Sequence, residues 1–402
     1  VRLKLDIYYG WWIVWACFLL NFYVGGVIFF GFTAFFEPIR TEFGWSYTQV
    51  SFATSLRGLE MGLMAPLVGV LVDRFGCRAL ITAGTFTMGL GLFLLSLTHS
   101  LAMFYAAILL LAFGAGGCTS VVTMTTVTNW FQKRLGLALG VMVSGFGASG
   151  LMIPLIVWLT DHFGWRVTLV VLGLGIWALG VPIIAVVRNR PVSTEGLSEL
   201  GGDGASSARL NPSPEMSFRE VLRTRIFWYI NIADVIRMIA VTAIVTHVMP
   251  YLESMGIPRA TAGAVAAAVP LSSIAGRFGL GWLSDVIERR FVHAISFVLM
   301  GLGTAAFCFM DRPWAVVAFL AFFPPGLGGS MVLRSALLRQ FFGRRSFGKV
   351  LGVTLGAASI GGVAGPTLAG WGYDVLGSYQ VVWVVYCALL ALAVVPIMKL
   401  KR

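Results

Sequence analysis

Apolar residues in this chain do not alternate with polar ones at the period of two that marks a half-buried strand. They run together for about 20 residues at a time, and stretches such as "AAILLLAFGAGG" are apolar on every helical face. A helix of about 20 such residues crosses roughly 30 Å of hydrocarbon. Runs of this kind, separated by Gly, Pro or clustered charge, predict spans near 11–36, 48–72, 79–99, 101–129, 136–160, 166–187, 226–252, 261–284, 290–310, 314–338, 348–370 and 376–398. The lack of period-two alternation argues against an outer-membrane barrel. The first run has no cleavage-like end, so it is expected to be a retained helix and not a signal peptide. The expected fold is an all-α membrane protein, with twelve transmembrane helices in two six-helix pseudo-symmetric bundles.

Residues 188–225 break the apolar pattern with Gly, Ser, Pro and mixed charge, which is linker chemistry. This places an N-terminal six-helix bundle in 1–187, a cytoplasmic linker in 188–225 and a C-terminal six-helix bundle in 226–402. "SFREVLRTR" at the linker's end reads either as a short amphipathic surface helix or as a plain tether. The halves repeat: Gly69 and Gly281, Asp73 and Asp285, Gly140 and Gly352, and Pro154 and Pro366 keep one offset of 212 residues. A repeat that long is a duplicated bundle and not a solenoid.

Composition agrees, with 58% hydrophobic and only 11% charged residues. The net charge of +12 could suggest nucleic acid. With both termini placed in the cytoplasm, however, most Lys and Arg fall in cytoplasmic segments, which is the positive-inside bias. The basic rim then faces anionic lipid headgroups, and no nucleic-acid partner is expected. The expected location is a bacterial inner (plasma) membrane, and the expected state a monomer. Five cysteines form no CxxC pair and four histidines show no ligand spacing, so no metal and no cofactor is expected. No nucleophile–base motif, HExxH or P-loop occurs, which argues against an enzyme and against ATP-driven pumping.

"GVLVDRFGCR" resembles the loop signature of the major facilitator superfamily, carried by Gly69, Asp73, Arg74, Gly76 and Arg78. Asp285 and Arg289 belong to its second copy. The carboxylate and guanidinium groups of these loops can pair at headgroup level or cap a neighbouring helix, as an anchor or as a cytoplasmic latch between the halves. "NWFQKRLGLALGVMVSGFGASG" is similar to the loop and fifth helix of the oxalate:formate antiporter group and the related monocarboxylate porters. Arg277, Gly281, Ser284, Asp285 and Arg289 fit the eighth-span pattern of those carriers. The resemblance implies a substrate contact at Arg277. The oxalate carriers' second cation in span eleven is replaced by Leu355, which favours a monocarboxylate. The acid and the lysine of animal-type porters are replaced by Ser273 and, approximately, Phe30, so proton coupling cannot be copied from them.

Charges at span depth are few: Arg57 and Glu60, Asp234 and Arg237, Arg277, and Arg334. Each costs about 2.5 to 3.5 kcal/mol at a helix centre, so each needs a partner or water. The spacing of three lets Arg57 pair with Glu60 and Asp234 with Arg237. Arg334, late in its span, is expected to snorkel to the inner headgroups. Arg277 has Ser273 and Ile274 where a helical acid partner would stand. It is either a dock for an organic carboxylate or an architectural partner of Glu60 or Asp234.

Candidate substrate contacts are Arg277, Arg57, Asn21, Tyr23, Thr123 and Ser330. Candidate proton-coupling residues are Glu60, Asp234, Arg237 and His247, with His247 near the external end as a gate or interface residue. The expected activity is secondary transport of a small monocarboxylate, a lactate- or pyruvate-like organic anion, by alternating access, with a proton as co-substrate. Alternatives are an organic-anion exchanger, a drug exporter of the same superfamily and a transport-dead membrane sensor.

Overall fold

The computed structural model describes residues 8–118, 120–131, 135–189, 216, 218–342 and 347–400. Side chains at 57–67, 69–70, 73, 120–121, 135–137, 285 and 347–349 lie outside that description. The described residues contain helices and turns but no strand. α1 (Tyr9–Val24) passes through a π-helical segment, Gly25–Phe30, into α2 (Thr33–Phe43). α3 (Tyr47–Phe75), α4 (Cys77–Ser96), α5 (Leu101–Gly116), α6 (Ser120–Thr128), α7 (Leu135–Ala148) and α8 (Met152–Val186) complete the first half. The second half holds α9 (Phe218–Arg223), α10 (Arg225–Ser254), α11 (Arg259–Val286), α12 (Arg289–Phe307), α13 (Pro313–Phe342), α14 (Phe347–Leu376) and α15 (Gln380–Met398). Helix covers each of the expected segments, and among the described residues nine helices are long and apolar enough to cross a membrane. α9 packs Val221 into the core, so the end of "SFREVLRTR" is a short docked helix.

Turns and caps follow local chemistry. Ser46 and Gln49 form a reciprocal capping box at the start of α3, satisfying two backbone donors that the first turn leaves free. Gly76, inside the loop signature, takes φ +79° to turn α3 into α4, a conformation that costs a residue with a Cβ. Trp130 donates to Arg188 O and Arg290 to Leu400 O, which gathers these loops on the face that carries residues 8 and 400, the near face. On the opposite, far face, Gly44, Gly164, Gly256 and Gly377 reverse the chain with positive φ.

The halves meet toward the far face. α3 packs along α14, and α8 along α11, through glycines with no room for a side chain. A Cβ on Gly370 would sit 2.6 Å from Ser51 Oγ and 2.8 Å from Tyr47 O; one on Gly150 would sit 2.7 Å from Pro270 Cγ. Such small-residue contacts are how membrane helices approach closely without a hydrophobic drive between them. Ser55 donates to Val363 O at 2.5 Å and lies 2.7 Å from Thr367 Oγ1 across the same seam.

Two polar latches cap the seams. Asp374 accepts the backbone N–H groups of Tyr47 (3.1 Å) and Thr48 (2.8 Å) and the Thr48 hydroxyl, so an anion sits on the free donors of the α3 N-terminus. Asp161 accepts Arg259 Nε at 2.7 Å at the start of α11. Asp161 and Asp374 are related by an offset of 213 residues, as are Gly164 and Gly377 three positions on. The same Asp-x-x-Gly turn of each half therefore grips the start of the other half's second span.

Both aspartates are exposed, and each contact is worth about 1 kcal/mol, or about fivefold in a two-state equilibrium. Asp374→Asn and Asp161→Asn should each speed labelling of a cysteine at Ser55 by a far-side impermeant maleimide about fivefold, with the native cysteines replaced. Unchanged labelling in both variants would show that these contacts do not hold the far face closed.

Candidate substrate site

Arg277 lies about 13 Å from the near end of α11 at 1.5 Å per residue. Its backbone is fixed by tight packing of α11 on α13. A Cβ on Gly276 would meet the Pro325 backbone at 2.5 Å, and one on Gly328 the Ser273 carbonyl carbon at 2.8 Å. Ser273 turns its hydroxyl back to Pro270 O at 2.6 Å, so it offers the guanidinium nothing. Arg277 Nη1 instead crosses to the first half and donates to Val143 O at 3.2 Å, while Nε is buried without a partner.

No acid among the described residues forms an ion pair with Arg277. The group lines a cleft of about 260 Å³ between α7, α11 and α13, walled by Leu139, Val143, Ser144, Ile274, Phe278 and Val332. Apolar walls weaken screening, so a carboxylate entering here would meet an attraction stronger than in water. It would exchange a long bond to a helix carbonyl for a charge-assisted one.

The second charged cluster differs from expectation. Arg237 donates Nε to Asp234 Oδ1 at 2.7 Å, as the spacing of three allows. Arg334 does not reach the headgroups: its side chain is 9% exposed and Nη1 donates to Asp234 Oδ2 at 2.8 Å. Snorkelling loses to pairing because a bare carboxylate already stands at the same depth on α10. Asp234 is therefore committed to these two arginines and is not Arg277's partner.

Of the other expected residues, Asn21 bonds Cys17 O at 3.0 Å, and Ser330 bonds Leu327 O at 2.8 Å, each within its own helix. Tyr23 donates its hydroxyl to Leu172 O on α8, which engages the phenol in packing inside the first half. Thr123 is fully buried with its hydroxyl unpartnered. Arg74 stacks over Phe75, Arg78 donates its backbone N–H to Asn189 Oδ1 at 2.9 Å, and Arg289 is half-buried on the near face. The side chains of Arg57, Glu60, Gly69, Asp73 and Asp285 lie outside the described residues.

His247 is fully buried where the halves meet. Nε2 faces Pro366 O (3.1 Å) and Ser51 Oγ (3.0 Å), and Nδ1 faces the Tyr379 hydroxyl (2.9 Å). A carbonyl can only accept, so the network assigns the ring proton to Nε2. Tyr379 then donates to Nδ1, and burial holds its phenol well above its ordinary pKa, which keeps that donor in place. Phe36 and Tyr379 pack against the imidazole.

The sequence model of the Major Facilitator Superfamily matches residues 14–285 and 238–402. The chain belongs to that superfamily. Similar proteins include monocarboxylate transporter 13 of Bos taurus, 26% identical over 387 residues covering 95% of this chain and 87% of that one. Monocarboxylate transporter 12 of Rattus norvegicus is 24% identical and covers 92% and 81%. A bacterial homologue of the human lysosomal transporter Spinster, solved inward-facing and unoccupied, has TM-score 0.72 and 17% identity over 97% of this chain and 94% of its own. The molecule is a transporter of the Major Facilitator Superfamily and not an enzyme. The Asp161 and Asp374 turns were legible only as a second repeat at a slightly different offset. The partners of His247 come from three helices and left no linear signal.

His247→Ala leaves the Tyr379 hydroxyl and the Pro366 carbonyl without their imidazole partner, at about 1 to 3 kcal/mol for each group left unsatisfied. A drop in thermal midpoint larger than that of Tyr379→Phe, which empties only Nδ1, is the expected result in detergent. Equal drops would contradict the assigned network.

Proposed function

We propose that this superfamily member carries a small monocarboxylate, with Arg277 binding the carboxylate in the cleft between the halves. The observation that carries the reading is the geometry of Arg277: a half-buried side chain whose Nε is buried without a partner, with no acidic partner among the described residues and a cleft beside it. The printed names of the similar proteins, monocarboxylate transporters, support the same cargo class. Arg277 is the one cation lining the cleft among the described residues, which with Leu355 in the eleventh span favours one carboxylate over two.

Transport by this reading is alternating access. The far-face seam through His247, Asp161 and Asp374 is one gate, and the near-face loops of Asp73 and Asp285 form the other. The near face is cytoplasmic, in a bacterial plasma membrane, since the basic rim lies there. Proton coupling arises by exchange of counter-charge. A bound carboxylate draws the counter-charge from Glu60, or both arginines from Asp234, and the carboxylate left short of positive charge takes up a proton. Exchange of one organic anion for another is the outcome if that step does not occur.

In saturating sodium chloride, which occupies any other small-anion site, a panel of lactate-sized monocarboxylates should raise the thermal midpoint of the purified protein further, and that further rise should vanish in Arg277→Ala. Equal stabilisation of the variant would overturn the reading. In vesicles, pH-driven accumulation should fail in Glu60→Gln or in Asp234→Asn. If both variants keep it, neither acid carries the proton; counterflow in the parent without any pH-driven accumulation would make the carrier an exchanger.

A further inference from the structure

The charges at the α10–α13 contact do not balance among the described residues. Asp234 brings one negative charge, and Arg237 and Arg334 bring two positive ones. All three side chains are more than nine-tenths buried. A surplus guanidinium at this depth is strongly unfavourable without a counter-charge, and pairing one of two arginines leaves that cost in place.

Hydrogen bonding is out of balance in the same sense. The Asp234 carboxylate takes Nε of Arg237 and Nη1 of Arg334, and Arg237 Nη1 and Arg334 Nε remain buried donors with no acceptor. Since both guanidinium groups grip one carboxylate, these free N–H groups belong to neighbouring cations. His293, whose Nδ1 is also unpartnered, and Asn231, whose amide is turned to Phe227 O, stand nearby. Water could satisfy the donors but would leave the positive charge.

We propose that α10 and α13 enclose a binding site for one small monovalent anion, a halide or the head group of a short carboxylic acid, held between Arg237 and Arg334 beside Asp234. The site lies on helices other than the one that carries Arg277, and it does not depend on Arg277 being the substrate dock. An anion there makes the cluster neutral and supplies the acceptors that both arginines lack. It stabilises the native state by mass action.

The test is the thermal midpoint of the purified full chain in sodium chloride or sodium acetate, against the bulky sulfonate salt of Hepes at the same ionic strength. Chloride and acetate should each raise it by about 2 °C or more at a hundredfold excess over Kd, in the parent and in Arg277→Ala alike. Asp234→Asn, with two uncompensated arginines, should respond more strongly. Arg334→Gln, which leaves the neutral Asp234–Arg237 pair, should hold its midpoint in Hepes and lose the response.

Acetate acting without chloride assigns the site to carboxylate head groups, and chloride acting alone to inorganic anions. Either result supports the site. A flat response in the parent places the balancing charge on the protein itself, for which Glu60 is available, and overturns the proposal. So does a rise in Arg334→Gln equal to that of the parent. Loss of monocarboxylate stabilisation in Arg277→Ala with the chloride response intact would separate the two sites.

Discussion

A charge at lipid depth must be matched, and this one constraint organises the polar interior. Water is absent from the hydrocarbon layer, so each buried guanidinium needs a carboxylate, a carbonyl or a ligand. Arg237 and Arg334 share Asp234. Among the described residues Arg277 reaches only the carbonyl of Val143, across the boundary between the halves. Under the proposed function its best partner comes from outside the chain, and it stands on a helix whose backbone is pinned by Gly276 and Gly328. A rigid scaffold with an under-satisfied donor is what binding requires, because the ordering cost falls on the ligand alone.

The seam between the halves obeys a second constraint, since two helical bodies that rock must touch closely and still separate. Glycines at 147, 150 and 370 bring backbones together without interlocking side chains. Polar contacts between the halves on the far side include one carboxylate on a helix N-terminus, one on an arginine, the Ser55 hydroxyl on Val363 O, and one imidazole between Ser51, Pro366 and Tyr379. The Arg277 bond to Val143 also joins the halves, so a ligand that takes this arginine would alter the contact on which rocking depends. Substrate binding and conformational change would then be linked through one side chain.

Much of the fold was legible in the sequence because lipid imposes a simple rule. A continuous apolar run must be a helix, and its length sets the span. The repeat followed from spacing and the loop signature from resemblance to the superfamily, while the turn at Gly76 came from the structure. Arg277 stood out because its own helix offers no acid. Arg334 was misplaced because only contacts within a helix can be counted from spacing; its partner Asp234 is a hundred positions away on another helix. Tyr23 read as a polar residue in a lining span, yet it turns to α8, and its acceptor Leu172 O stands 149 positions away where no local pattern points. The sequence offered His247 as a gate or interface residue; Ser51, Pro366 and Tyr379 could not be assigned to it without the packing of α3, α14 and the turn before α15.

The central claim is that Arg277 grips a carboxylate with two parallel donors. Calorimetric titration of a lactate-sized acid into the parent and into Arg277→Lys tests it most directly, because lysine keeps the charge and loses the planar fork. A drop in affinity of about tenfold or more, near 1.4 kcal/mol, with the protein still folded, is the expected result. Equal affinity in the two proteins would contradict the account.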